Sequence, residues 1–389
     1  MEAGLAVAQP MSPAVVASAA PETGSTLTVD LAAITANWHA LAGRLLAAEC
    51  AAVVKANAYG LGLQQVTTAL AKAGCKTFFV ADLAEARTVR SRAPEAAIYV
   101  LHGFTPDWGE GLIEINARPV INSATELAEW DAFVAAHSWR GGAALQVDTG
   151  MRRLGISPDE AVALAPRAQT ENHGIALLMS HLVCAEIADH PLNAKQIRLF
   201  RELHTLYPGV PASLVNSSGI FLGDAGHFDL ARPGAALYGV NPTPGRPNPM
   251  QSAVELSGRI LQIRGVARDD TVGYDATWTA KRNSRVATIA LGYADGLMRA
   301  GSGTDARPGG AAIVAGQRCP IVGRISMDLV CADVTDLPDG AVHRGDQALL
   351  IGGEIELDEA AAAAGTIGYE VLTRLGLRSH VVYRGDRDD

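Results

Sequence analysis

The sequence predicts an α/β protein: a (β/α)8 barrel of the TIM type followed by a mostly antiparallel β domain. Three observations carry that expectation. Between Leu27 and Tyr238, short apolar runs alternate with longer amphipathic stretches. A Pro-rich segment, PTPGRP at 242–247, then interrupts the pattern. Beyond it, strand-like runs punctuated by Gly and Asp take over. The length of 389 residues exceeds one ordinary core and suits a large barrel with a smaller companion.

Residues 1–26 are expected to form a disordered tail, rich in Ala, Pro and Ser. Its apolar run at 14–20 resembles a weak export signal, yet no basic residue precedes it and Pro10 and Pro13 interrupt it. A tail, or a true start at Met11, is the preferred reading. The barrel is assigned to 27–247. Its apolar runs fall at 51–55, 77–81, 97–101, 118–121, 143–148, 175–181, 213–216 and 228–232. Amphipathic stretches at 64–73, 124–136, 159–168 and 193–207 lie between them. Continuous apolar strands alternating with helices mean a parallel sheet covered by helices. A doubly wound open sheet also fits, with fewer repeats. The β domain is assigned to 248–389, with strands at 254–263, 285–290, 311–314, 317–322, 329–333 and 347–351. Short helices are expected at 359–364 and 369–375.

Composition narrows the function. A net charge of -9 argues against a general nucleic-acid binder, which needs clustered positive charge. No apolar run reaches the roughly 20 residues of a membrane helix. The five cysteines, Cys50, Cys75, Cys184, Cys319 and Cys331, are odd in number and lack metal or redox spacing, so a reducing, cytoplasmic setting and no metal site are expected.

In a barrel, reactive side chains gather where the C-terminal ends of strands converge on one mouth. Lys55, Asp148, His181, Asn216 and Arg232 all close apolar runs. A strand-end lysine is either a snorkelling side chain or an amine whose lowered pKa allows Schiff-base formation with an aldehyde. Around Lys55 the segment VVKANAYGLG at 53–62 closely resembles the pyridoxal-lysine motif of the alanine racemase family. The resemblance recurs from Leu27 to Tyr383: DTGMRRLG at 148–155, NSS at 216–218, RPGAALYG at 232–239, GYD at 273–275, GYADG at 292–296, GRISMD at 323–328 and GYE at 368–370. One motif is moderately specific; the ordered set is highly specific.

The resemblance implies an isomerase interconverting L-alanine and D-alanine with pyridoxal 5'-phosphate, working as a homodimer with shared active sites and feeding peptidoglycan precursor synthesis. Lys55 would carry the cofactor and serve as one base, Tyr274 of the partner as the other. A free phenol titrates near 10, so Tyr274 needs tuning, with His181 as its partner and Arg232 behind. Without the resemblance, Tyr274 reads as a packed turn tyrosine. Arg232 would face the pyridine nitrogen; as a pure donor it leaves that nitrogen unprotonated, which discourages side reactions. Its alternative is a structural ion pair. Tyr59, Asn216, Ser217, Gly234, Ala235 and Tyr369 resemble the cofactor and phosphate site, although Ser217 also reads as a plain N-cap. Arg153 and Met327 would bind the substrate carboxylate. Tyr293, Arg299, Arg324, Asp328 and Tyr369 resemble the access channel, and Tyr369 favours alanine.

Two positions depart from the family pattern. Gln146 stands where many members carry a carbamylated lysine that orients the arginine corresponding to Arg153, and Ser213 stands where many carry a histidine. Rival readings are a pyridoxal-barrel decarboxylase, against which Arg232 speaks, a small pyridoxal-binding protein lacking the β domain, a cofactor-free aldolase-type barrel, and a broad-specificity or serine racemase of the same fold.

Overall fold

The structure, a computed structural model, describes residues 22–170 and 174–385. Eight parallel strands close a barrel. Seven pair in sequence order: Ala52–Val53, Thr77–Val80, Ala97–Val100, Arg118–Ile121, Ala143–Gln146, Ile175–Met179 and Ala212–Ser213. The eighth, Leu230–Ala231, pairs in parallel with Glu49–Cys50, just upstream of the first. Asp229 and Arg232 donate main-chain hydrogen bonds to Ala212 and Val215, each 3.0 Å long, on its other side. Closure removes the free edges that a doubly wound open sheet would keep.

The strands are buried on both faces, and they read as continuous apolar runs for that reason. Helix starts are marked by side chains that satisfy free N–H groups. Asp82 caps Leu83–Arg92, Ser123 caps Ala124–His137, and Ser157 with Glu160 forms a capping box on Pro158–Leu164. These caps sit in the loops at the barrel mouth, so they also shape the site.

Four expected strands end two or more residues early. The ladders stop at Val53, Gln146, Met179 and Ser213, leaving Lys55, Asp148, His181 and Asn216 beyond them. Polar side chains that hydrogen-bond their own loop draw the backbone out of the sheet. Asp148 does so by accepting from the N–H groups of Gly150 at 2.8 Å and Arg152 at 3.0 Å.

In the second domain, Val254–Val266 pairs antiparallel with Ser25–Asp30, Ser284–Ile289 and Gln347–Ile351. Ala311–Val314, Gln317–Pro320 and Val330–Asp333 extend the sheet. Ser25 and Thr26, assigned from sequence to the disordered tail, instead open a strand of this sheet. That strand also pairs in parallel with His380–Arg384, likewise unexpected. Residues 1–21, including the run at 14–20, lie outside the described residues. One apolar cluster, with Leu27, Val29, Leu256 and Leu372, runs from the barrel into this sheet. Its continuity fixes the β domain against the barrel mouth.

Candidate active site

The barrel mouth opens into a cavity of about 730 Å³. It is lined by Lys55, Tyr59, Gln146, Arg153, His181, Asn216, Ser217, Arg232, Gly234, Ala235 and Tyr369. The structure therefore brings most of the expected site together.

Arg232 forms the floor and is buried. Its guanidinium donates to the Ser213 hydroxyl and, at 2.5 Å, to the Ser180 carbonyl. Nη2 lies 3.5 Å from His181 Nδ1, and the group sits 5.7 Å from the Phe79 ring centroid. Among the described residues no carboxylate pairs with it. Burial lowers its pKa to about 9, still leaving it cationic at neutral pH. Ser213 thus supplies an acceptor for the Arg232 guanidinium.

His181 is pushed down to about 3, first by burial, then by Arg232, Arg153 and Lys55. It is neutral at pH 7. With Nδ1 turned to a donor, its proton belongs on Nε2. Sequence reading missed the residue that holds this loop. Gln196, fully buried, donates to the His181 carbonyl at 2.9 Å and to Thr149 Oγ1 at 3.0 Å. It also accepts from the Val183 N–H at 2.9 Å. A helical glutamine on a polar-apolar stretch carries no sequence signal for that role.

Lys55 follows the first strand. Burial and then Arg153 lower its pKa, opposed by Glu85. The backbone after it is exceptional: Ala56, Asn57, Ala58 and Tyr59 have φ of 55°, 55°, 53° and 56°. Left-handed backbone costs an L-residue about 1–2 kcal/mol and normally occurs singly. Here it forms a turn closed by Ala58 N–H to Val54 O and Gly60 N–H to Ala56 O, both 2.8 Å. The expected strand at 51–55 gives way to this turn.

Opposite Lys55, the Ser217 hydroxyl accepts from the N–H groups of Gly234 at 3.0 Å and Ala236 at 3.2 Å. Ser217 makes no side-chain cap, so the plain N-cap reading is set aside; Asn216 Oδ1 caps Gly219 N–H at 3.0 Å instead. The element that follows, Ser218–Leu222, is a short 3-10 helix. Gly234 has to be glycine: a Cβ there would stand 2.3 Å from the Tyr59 hydroxyl. Tyr59 packs on Tyr238 with ring centroids 4.8 Å apart. The Tyr369 hydroxyl donates to Glu186 at 3.1 Å, a partner not foreseen. Burial raises the pKa of both Tyr59 and Tyr369.

The remaining expected residues lie on the β domain, and none lines the cavity. Tyr274 is 70% exposed. It follows Gly273, whose φ of 83° lets the chain pass Arg324. Asp275 holds Arg324 at 2.8 Å. Tyr293 and Ala294 N–H groups bond the carbonyls of Ser326 and Met327 at 3.0 Å. Arg378 clamps the same ridge, reaching Asp328 at 2.6 Å and the buried Asp295 at 2.9 Å. Arg299 opens the 3-10 turn Arg299–Gly301.

Residues 29–242 match the family described as alanine racemase, N-terminal domain, and residues 253–383 its C-terminal domain. The chain belongs to the alanine racemase family. The alanine racemase of Methylobacterium sp. (strain 4-46) is 51% identical over 360 residues, covering 92% of this chain and 98% of that one. An alanine racemase from Bartonella henselae with covalently bound pyridoxal phosphate superposes with a TM-score of 0.87 at 38% identity, covering 94% of this chain and all of that one (100%). The biosynthetic alanine racemase of Pseudomonas aeruginosa gives 0.85 at 35%, covering 93% and 100%.

Proposed function

We propose that this protein interconverts L-alanine and D-alanine using pyridoxal 5'-phosphate. The observation that carries the reading is the cavity floor: a buried arginine held, among the described residues, by neutral acceptors, in one chamber with a strand-end lysine of lowered pKa. The residues suit the cofactor. Lys55 offers an amine, Gly234 keeps open a cradle that a Cβ would fill, and Ser217 and Tyr59 offer hydroxyls beside main-chain N–H groups for a phosphate. When bound, pyridoxal phosphate supplies the electron sink that makes a Cα proton removable.

The chain's own groups do the rest. Arg232 would donate to the ring nitrogen and, being a donor that cannot accept a proton, would keep that nitrogen unprotonated. Lys55 moves the Cα proton on one face. Tyr274, exposed and outside its own chain's cavity, serves the other face from a second copy, giving a homodimer with shared sites. Neutral His181, with its proton on Nε2, can donate a hydrogen bond to the partner's phenol oxygen. Arg153 and the Met327 backbone orient the substrate carboxylate, with Gln146 beside Arg153. In this reading 27–247 is the cofactor barrel and 248–389 the domain that lends Tyr274. Five free thiols fit a cytoplasmic enzyme supplying D-alanine for peptidoglycan precursors. No helix among the described residues is long and apolar enough to cross a membrane. A racemase assay across alanine, serine, lysine and arginine, with absorbance spectra recorded alongside, tests the reading. Turnover of serine or a basic amino acid in preference to alanine would refute it.

A further inference from the structure

The left-handed turn after Lys55 needs something to hold it. Four successive non-glycine residues at φ of 53–56° persist only where the surroundings over-determine them. Asn57 contributes from within, its Oδ1 accepting from Leu63 N–H at 2.8 Å. From outside, Glu85 reaches the turn. It lies in the first turn of helix Leu83–Arg92, whose N-cap Asp82 accepts its N–H at 3.0 Å. Its Oε1 accepts from Asn57 N–H at 2.9 Å and its Oε2 from Ala81 N–H at 2.9 Å. One carboxylate therefore ties the turn to the end of the neighbouring strand with two charge-assisted hydrogen bonds.

The barrel holds an internal comparison. Glu126, in the first turn of Ala124–His137, accepts from Asn122 N–H at 2.7 Å and from Phe104 N–H. That is the same device applied to a loop whose positive φ falls on a glycine, Gly103. There it secures a loop; at Glu85 it secures strained backbone that carries a functional amine. Lys55 and Tyr59 bracket the turn and both line the cavity, so relaxing any residue from 56 to 58 re-aims one against the other.

We propose that Glu85 is a positioning residue for the racemase reaction: its carboxylate locks the left-handed turn and thereby aims the Lys55 amine into the cavity. The proposal rests on the reading of Lys55 as the cofactor-bearing amine.

The test uses cofactor-free full-length protein and two measurements. One is hydrogen exchange of peptides covering residues 55–62. The other is the rate at which added pyridoxal phosphate forms a borohydride-reducible adduct on Lys55, located by peptide mass spectrometry. Glu85→Ala should speed exchange and slow adduct formation about tenfold or more, the scale for losing a hydrogen bond to a charged group. Glu126→Ala should do neither. Adding Ala56→Gly to Glu85→Ala should restore much of the adduct rate, because glycine takes positive φ without strain. Glu85→Gln, which keeps the length and one acceptor, should fall between and covers the case in which Glu85→Ala does not fold. Three results overturn the proposal: faster exchange with an unchanged adduct rate, an equal loss in Glu126→Ala, or no restoration by Ala56→Gly. A wild-type adduct on another lysine overturns the Lys55 reading, and the proposal with it.

Discussion

Placing a methyl group on Gly234 tests the wall where the cofactor phosphate would sit. The new Cβ would stand 2.3 Å from the Tyr59 hydroxyl oxygen, 3.1 Å from Cζ and 3.4 Å from Val53 Cβ. Tyr59 cannot easily swing away, since it is buried against Tyr238 with ring centroids 4.8 Å apart. Forcing atoms into a packed wall costs about 1–3 kcal/mol, or roughly 5- to 150-fold in an equilibrium constant. Because Gly234 N–H and Ser217 belong to the same wall, the loss should appear chiefly in cofactor affinity. Tyr59→Phe removes the atom at 2.3 Å, so in the Gly234→Ala background it should recover about 1 kcal/mol, although alone it weakens binding. The assay is cofactor titration of wild type, both single variants and the double variant, read as a double-mutant cycle. Additivity within about 0.5 kcal/mol would mean that the two positions do not meet, and the cradle argument would fail.

Mixing inactive Lys55→Ala and Tyr274→Phe proteins under subunit exchange should return roughly a quarter of wild-type activity, since about half of randomly paired dimers carry one intact site. No recovery despite exchange confirmed by mass spectrometry would place both bases in one chain. Arg232→Glu should lower racemisation and raise pyruvate release per racemisation event, because the ring nitrogen becomes protonatable; an unchanged ratio would mean Arg232 does not face that nitrogen. His181, depressed to about 3 when folded, binds a proton more readily when unfolded, so its contribution leaves stability unaffected above the ordinary value near 6.5 and erodes it as pH falls toward about 3. The slope is about 1.4 kcal/mol per pH unit, or about 2 kcal/mol by pH 5, and denaturant unfolding of His181→Gln should show it flattened. Tyr369→Ala should widen the chamber and raise serine turnover relative to alanine, by a modest factor because small pocket changes are worth about 1–3 kcal/mol; the kcat/KM ratio measures it.

Much of the barrel was legible in the sequence because parallel strands buried on both faces need unbroken apolar runs. Seven of the eight began within one residue of their expected starts, and the amphipathic stretches between them became helices. Less legible were elements whose identity depends on a distant partner. Ser25–Asp30 is a strand because Val254–Val266 and His380–Arg384 flank it, and nothing local to residues 25–26 says so. The strand ends were overextended for the opposite reason: apolar character continues past Val53, Gln146 and Ser213, but the ladder ends there, drawn off at Asp148 by its loop hydrogen bonds.

At the site, the sequence by itself determined which chemistry is present: an amine and an arginine at strand ends, a serine beside glycine-rich backbone, and a family pattern that suggests their uses. Only the tertiary structure decided how those groups are poised. Neutral His181, Arg232 held by Ser213 and Ser180, and the clamp of Gln196 across the His181 loop depend on burial and on contacts between residues far apart in the chain. So does the left-handed turn. Of Ala56, Asn57 and Ala58 only the Asn tolerates positive φ at all readily, and then singly, so the run adopts it because neighbouring groups outweigh the intrinsic cost of the conformation. Composition and spacing report what a residue can do; the field and geometry that make it do so are summed over neighbours that only folding assembles.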